Sequence, residues 1–252
     1  MKLISNSPYI SNKMGLVERL QGMIKFGRSW YPELVAQEKA IESLRKQLDN
    51  RFTLIHYFTL PQVEIPIPLI LIGPSGVHVI YVTPLKGVYR SKADGWAVLD
   101  ASRHFKQTRP NLVQRTALMS NALEIFFQQK GFPITPESIL FCSDPGIHVD
   151  SIRSVVRIVL SDALSHFAAG LVQGRVALPP DKVAQLLEII QAPEPAPEEI
   201  LSSEQKLTPA KKSIVDQLHL SRRQMTVLGV FAFLEVCILI AFIFFVVFSL
   251  GA

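Results

Sequence analysis

Residues 69–87 read LILIGPSGVHVIYVTPLKG. Two apolar runs, PLILIG (68–73) and VHVIYV (77–82), flank GPSG (73–76). Gly and Pro at a tight spacing mark a turn, so the stretch predicts a strand, a reversal and a return strand. Neither run alternates apolar with polar residues. A strand that is apolar on both sides needs cover on both faces, which points to an α/β domain rather than a one-sided antiparallel sheet.

The flanking elements fit that reading. Upstream, Pro32 opens a helix that runs through ELVAQEKAIESLRKQLDN, with Leu34, Ile41, Leu44 and Leu48 on one stripe and Asp49-Asn50 at its end. FTLIHYFTL (52–60) reads as a strand. Downstream of Gly87, VYR and GWAVLD (95–100) predict short strands around an Asp94-Gly95 turn. NLVQRTALMSNALEIFFQQKG (111–131) is an amphipathic helix with a Gly cap. SILFCS (138–143) and VVRIVL (155–160) predict buried strands, SDALSHFAAGL (161–171) a capped helix and PDKVAQLLEIIQ (180–191) a last one. The expected divisions are a leader helix in 1–30, an α/β domain over 31–175 and an additional helix in 176–191. In the leader, Leu16, Leu20, Met23, Ile24 and Phe26, with Lys25 and Arg28 near its end, predict an amphipathic helix that either packs on the domain or lies on the bilayer, its sparse charge favouring packing.

The 252 residues are 48% hydrophobic and 19% charged, with a net charge of +5 and a mean hydropathy of +0.27. That composition excludes a disordered chain. Two cysteines exclude a disulfide scaffold and a four-Cys zinc site. The high hydropathy traces to Val227–Phe248, VLGVFAFLEVCILIAFIFFVVF, 22 residues broken only by Gly229 and Glu235. At ~1.5 Å per residue a helix of that length reaches ~33 Å, enough for a bilayer core. Its seventeen Val, Leu, Ile and Phe residues outweigh one mid-membrane carboxyl. Lys211, Lys212, Arg222 and Arg223 precede the run, and by the positive-inside rule the N-terminal part is expected on the cytoplasmic side of a single-pass, tail-anchored chain. The transmembrane helix is expected over 225–250, behind a Pro/Glu linker and polar stalk over 192–224. Glu235, near the middle of the run, reads either as an interhelical hydrogen-bonding group that drives homo-oligomerisation or partner pairing, or as one tolerated acid.

The stretch 69–87 resembles the nuclease-related domain family, NERD, over about residues 30–172. GPSG followed by V-x-V-I carries the resemblance, together with the order of elements, NLVQ (111–114) and QEKAIESL (37–44). It implies a restriction-endonuclease-like core (PD-(D/E)XK-type), a mixed sheet flanked by helices. It also implies an Asp on the first strand, a Glu-x-Lys on the second, a Glu on the first helix and a Gln opening the second helix. Here those positions hold Pro68, Tyr81, Thr83, Glu38 and Gln114.

Such a nuclease needs carboxylates to hold Mg²⁺ against the scissile phosphate and a Lys to activate water. Pro68 offers no side-chain ligand, Tyr81 would have to ionise, and Thr83 is uncharged. Glu64 lies ~13 Å along a strand from position 68, too far to substitute simply. Lys86 follows Thr83 by three residues. Glu38 and Gln114 read either as a retained polar site or as a solvated helix acid and a helix-start Gln. The expectation is therefore a vestigial pocket of Glu38, Pro68, Tyr81, Thr83, Lys86 and Gln114, with no metal, no cofactor and no catalytic residue. Six scattered histidines lack metal-ligand spacing, Ser75 is turn chemistry, and Cys142 is a core thiol. Arg103, Lys106, Arg109 and Arg115 form a candidate basic patch, suited to phosphate or to plain solvation near anionic headgroups. The functional expectation is a membrane-tethered pseudoenzyme acting as a binding or scaffold module toward nucleic acid or a protein partner. The alternatives are a divergent Mg²⁺-dependent nuclease and a structural subunit of a membrane complex assembled through its transmembrane helix.

Overall fold

The computed structural model describes residues 1–11, 14–60 and 66–192. The expectations for Glu64, the stalk from residue 193 onward, the membrane run and Glu235 lie outside those residues.

β3 (Pro66–Gly73) and β4 (Gly76–Thr83) form the expected hairpin, with Gly73 opposite Gly76. Gly76 sits at φ +125°, a conformation that side chains with a Cβ rarely adopt. The hairpin is the centre of a six-stranded sheet. β2 (Thr53–Thr59) pairs antiparallel with β3, while β8 (Glu137–Cys142) pairs parallel with β4 and with β10 (Arg157–Leu160). Along each central strand successive side chains go to opposite faces. Ile70, Ile72, Val79, Tyr81, Leu140 and Cys142 meet Leu112, Val113, Met119, Leu123 and Phe127 of α3 (Leu112–Gln129) and Leu186 and Ile190 of α5 (Pro180–Gln191). Leu69, Leu71, Ile80, Val82, Ile139 and Phe141 meet Ala36, Ala40, Ile41 and Leu44 of α2 (Trp30–Gln47) and Leu164, Phe167 and Leu171 of α4 (Leu164–Gln173). Both faces are covered, which is why the strands carry no alternation. Burying each large aliphatic side chain contributes ~1.5–3 kcal/mol.

Some boundaries differ from expectation. α3 ends as read: Gly131 takes φ +82° and Phe132 N–H donates to the Phe127 carbonyl at 2.8 Å. α2 starts earlier, at Trp30, and α4 starts only at Leu164, without a side-chain cap. A second, four-stranded sheet runs β7–β6–β5–β9. Its β5 (Gly87–Lys92) and β6 (Gly95–Leu99) were legible; β7 (Phe105–Gln107) was not, being three residues long, nor was β9 (Ile147–Ile152), which is largely exposed and carries little periodicity. Trp96 of β6 is fully buried and stacks on Tyr89 at 4.9 Å, in the same core as α3.

The leader expectation needs two corrections. β1 (Lys2–Ser5) is an edge strand, parallel to β2, and the Met1 amino group donates to the Leu48 carbonyl at 3.0 Å. α1 (Leu16–Phe26) packs on α2, but not through its apolar stripe: Leu16, Val17, Leu20 and Ile24 are 59–82% exposed. The contact runs through Gly22, where a Cβ would lie 2.5 Å from the Trp30 Cη2, and through Arg19 stacked 4.6 Å from the centre of the Tyr31 ring.

A buried polar pin ties the hairpin to β8. His78 Nδ1 lies 2.8 Å from Glu137 Oε2, and its Nε2 lies 3.0 Å from Ser75 Oγ. Both ring nitrogens are thus engaged, Nδ1 with the carboxylate and Nε2 with the hydroxyl. Arg157 reaches the other Glu137 oxygen at 3.3 Å. The hydrogen bond from His78 holds the Glu137 carboxyl below its ordinary value of 4.5, against the opposing effect of burial. A carboxyl lowered in the folded state stabilises above its unfolded pKa, and that contribution disappears as pH falls through the folded value. The melting temperature of the wild type should therefore exceed that of Glu137→Gln at neutral pH. The gap should close in thermal melts taken stepwise below about pH 4.5.

Cys142 is wholly buried in β8, and burial pushes its thiol up to about 12. The thiolate is the reactive species. Iodoacetamide at mildly alkaline pH should leave Cys142 unmodified in peptide mapping of the folded chain and modify it fully in denaturant.

Candidate functional site: the cleft around Tyr81

Tyr81 lies at the carboxyl end of β4, beside the start of β3. The β2–β3 ladder pairs His56 with Leu69 and Phe58 with Ile67, and skips Tyr57 and Pro68 between them. Pro68 has no N–H to donate, and Tyr57 takes φ +63°, a left-handed conformation that costs a non-glycine residue ~1 kcal/mol or more. The break leaves a cleft of about 160 Å³. Pro66, Pro68, Tyr57 and Tyr81 line it, together with Trp30, Glu33 and Gln37 of α2 and Arg115 of α3. Tyr9 from the N-terminal segment meets the Trp30 ring edge-on at 5.0 Å.

The polar centre consists of three groups. Tyr81 Oη donates to Glu33 Oε2 at 2.9 Å, and the Arg115 guanidinium lies 5.1 Å from the centre of the Tyr81 ring. Burial, with Glu33 reinforcing it, pushes the Tyr81 phenol well above its ordinary value of 10.0. The side chain is a neutral donor at physiological pH and not a phenolate ligand. A hard divalent cation wants several oxygen ligands. Among the described residues the cleft supplies one carboxylate, already hydrogen-bonded, beside a fixed positive charge. Among the described residues no three His, Cys, Asp or Glu side chains stand together as a metal site. This donor set does not fit a divalent ion.

The expected pocket therefore divides. Pro68 and Tyr81 line the cleft, and Arg115 joins them from the expected basic patch. Glu38, Thr83, Lys86 and Gln114 do not. Glu38 accepts from the Ser11 N–H at 2.7 Å and from the Ser11 hydroxyl, so it secures the N-terminal segment. Thr83 is buried, and its carbonyl accepts from Ser143 N–H at 2.9 Å and Ser143 Oγ at 3.1 Å. Lys86 is exposed, 3.5 Å from Asp144. Gln114 receives the N-cap of α3, its N–H donating to Asn111 Oδ1 at 3.1 Å.

The helix acid in the cleft is Glu33, not Glu38. Five residues along a helix turn a side chain by ~140°. The Leu34–Ile41–Leu44 stripe fixed which face met the core, but it did not reveal that Glu33, in the first turn of the same helix, reaches the Tyr81 hydroxyl. In the basic patch, Lys106 pairs with Asp100 at 2.7 Å, which holds that carboxyl below its ordinary value. Arg103 and Arg109 have no ion pair among the described residues. No protein-family model matches the chain, and neither a curated protein nor a solved structure does.

Proposed function

We propose that this chain is a membrane-tethered binding module built on an endonuclease-type scaffold, and that the cleft around Tyr81, with Arg115 in its wall, and the basic patch of Arg103, Lys106 and Arg109 receive its ligand without cutting it. One observation carries the reading. Where the fold would assemble metal-binding acids, Pro68 and Tyr81 stand instead, and the nearest carboxylate, Glu33, accepts from the Tyr81 hydroxyl. In the main sheet and its helices the order α2–β2–β3–β4–α3–β8, with β5–β7 of the second sheet inserted before α3, supports the scaffold assignment. The apolar run 227–248 supports the tether. Aromatic walls and a guanidinium suit stacking and phosphate contact, the two contacts that hold single-stranded nucleic acid without reading its sequence.

The test uses the full chain in detergent or nanodiscs with fluorescent single-stranded and duplex DNA and RNA, with Mg²⁺ or Mn²⁺ present. The expected result is intact nucleic acid and salt-sensitive binding. Combined charge reversal of Arg103, Lys106 and Arg109 should weaken it by at least about tenfold at low salt. Within that set Lys106, already paired with Asp100, should contribute least. Metal-dependent cleavage would overturn the reading in favour of a divergent nuclease. No binding at low salt would favour the structural-subunit reading, in which Glu235→Leu dissolves oligomers in detergent.

A further inference from the structure

We propose that α1 is a second membrane contact, its outward stripe of Leu16, Val17, Leu20 and Ile24 lying in the headgroup–acyl boundary of the bilayer that holds the C-terminal run. This rests on the tethered reading above. Leu16, Leu20 and Ile24 follow one another at four-residue spacing, with Val17 beside them, so they form one continuous strip. The strip faces away from the domain because the opposite side of α1 is the docked one. Gly22 lets the helix approach the Trp30 indole, and Arg19 stacks on Tyr31. Only glycine permits that approach, so the orientation is built into the α1–α2 contact.

Four adjacent large aliphatic side chains in water are a liability unless something covers them. A bilayer interface is the occupant that the rest of the chain brings near. Residues 193–226 are 34 residues, and even fully extended at ~3.3–3.6 Å each they keep the domain within ~120 Å of the apolar run. Confinement of that kind turns membrane contact into an intramolecular step, and a weak interfacial helix then suffices. Arg28 follows the end of α1 and suits an anionic leaflet. An amphipathic helix lies in the interface with its apolar face buried ~5–10 Å.

The experiment uses the full chain, carrying Cys237→Ser, in vesicles of phosphatidylcholine doped with phosphatidylserine. An environment-sensitive nitrobenzoxadiazole probe is attached at Leu20→Cys or, as the reference, at the exposed Glu42→Cys of α2; buried Cys142 stays unlabelled. Doxyl-labelled acyl chains should quench the probe at position 20 severalfold more than the probe at 42, with unchanged thermal melts. Equal quenching at both positions, in a chain that resists alkaline carbonate extraction, would overturn the inference and leave the anchor standing. A blue-shifted probe at position 20 that doxyl lipid does not quench would overturn it too, assigning the stripe to a second copy of the chain. Loss of the chain from the vesicles on extraction would instead remove the anchor reading, and the inference with it.

Discussion

Gly73→Ala should destabilise the domain by about 2–3 kcal/mol, and Gly73→Val should leave too little folded protein to measure. A Cβ built on Gly73 would lie 2.6 Å from Phe52 Cε1 and 3.0 Å from its Cγ, closer still to Cδ1. Phe52 is fully buried among Leu54, Leu69, Leu71 and Ile80, so its ring cannot swing into solvent to make room. The conflict must be absorbed by the core between the sheet and α2, which is close-packed and yields only at a cost. Equilibrium urea unfolding with matched m-values reads the loss. The mechanism predicts non-additivity: Phe52→Leu alone leaves a cavity, but in the double variant the alanine methyl occupies part of it. The pair should then cost about 1 kcal/mol or more less than the sum of the singles. Gly76→Ala is the contrast. Nothing lies within 4 Å of its Cβ, so only the φ of +125° opposes it, and no change at Phe52 should rescue it.

That contrast marks how far a sequence can be read here. The GPSG signal places the turn, and the unbroken apolar runs beside it require cover on both faces, so the α/β class, the hairpin and the helices that bracket it were legible. The clash partner of Gly73 was not, because Phe52 stands more than twenty residues away and meets it only through the β2–β3 pairing. β1 and β9 were hidden for a related reason. Lys2–Ser5 and Ile147–Ile152 carry little periodicity of their own and become strands because β2 and β5 offer open edges. At the cleft, Pro68 and Tyr81 were found from their place in the motif. Glu33 was missed because its role depends on the tertiary approach of the first turn of α2 to Tyr81, 48 residues away in the chain. Arg115 was counted among surface cations; its stacking on Tyr81 needs the tertiary approach of α3 to β4.

Tyr81→Glu tests the proposed vestigial pocket directly, by placing a carboxylate where the proposed endonuclease-type scaffold would carry one. The substituted acid would stand beside Glu33 in a site where Tyr81 is now 2% exposed. Two carboxylates at close range in a desolvated cleft repel, and one of them takes up a proton or the fold loosens. Arg115 offsets part of that charge but cannot neutralise both. The variant should lose about 3 kcal/mol or more at neutral pH, less at mildly acid pH where one acid protonates. Tyr81→Phe separates the two contributions. It removes only the hydroxyl that serves Glu33, and should cost about 1–3 kcal/mol with little dependence on metal. The decisive readout is thermal stability against Mg²⁺ or Mn²⁺. In the glutamate variant the paired acids create an oxygen site, and an ion at ten times its Kd would return about 1.4 kcal/mol. The wild type should show no such gain, because Glu33, the one cleft carboxylate among the described residues, is hydrogen-bonded to a phenol that does not ionise and lies near a guanidinium. A wild-type melt that rises with divalent metal as steeply as the variant's would mean that the cleft already gathers ligands for an ion, and the non-catalytic reading would fall.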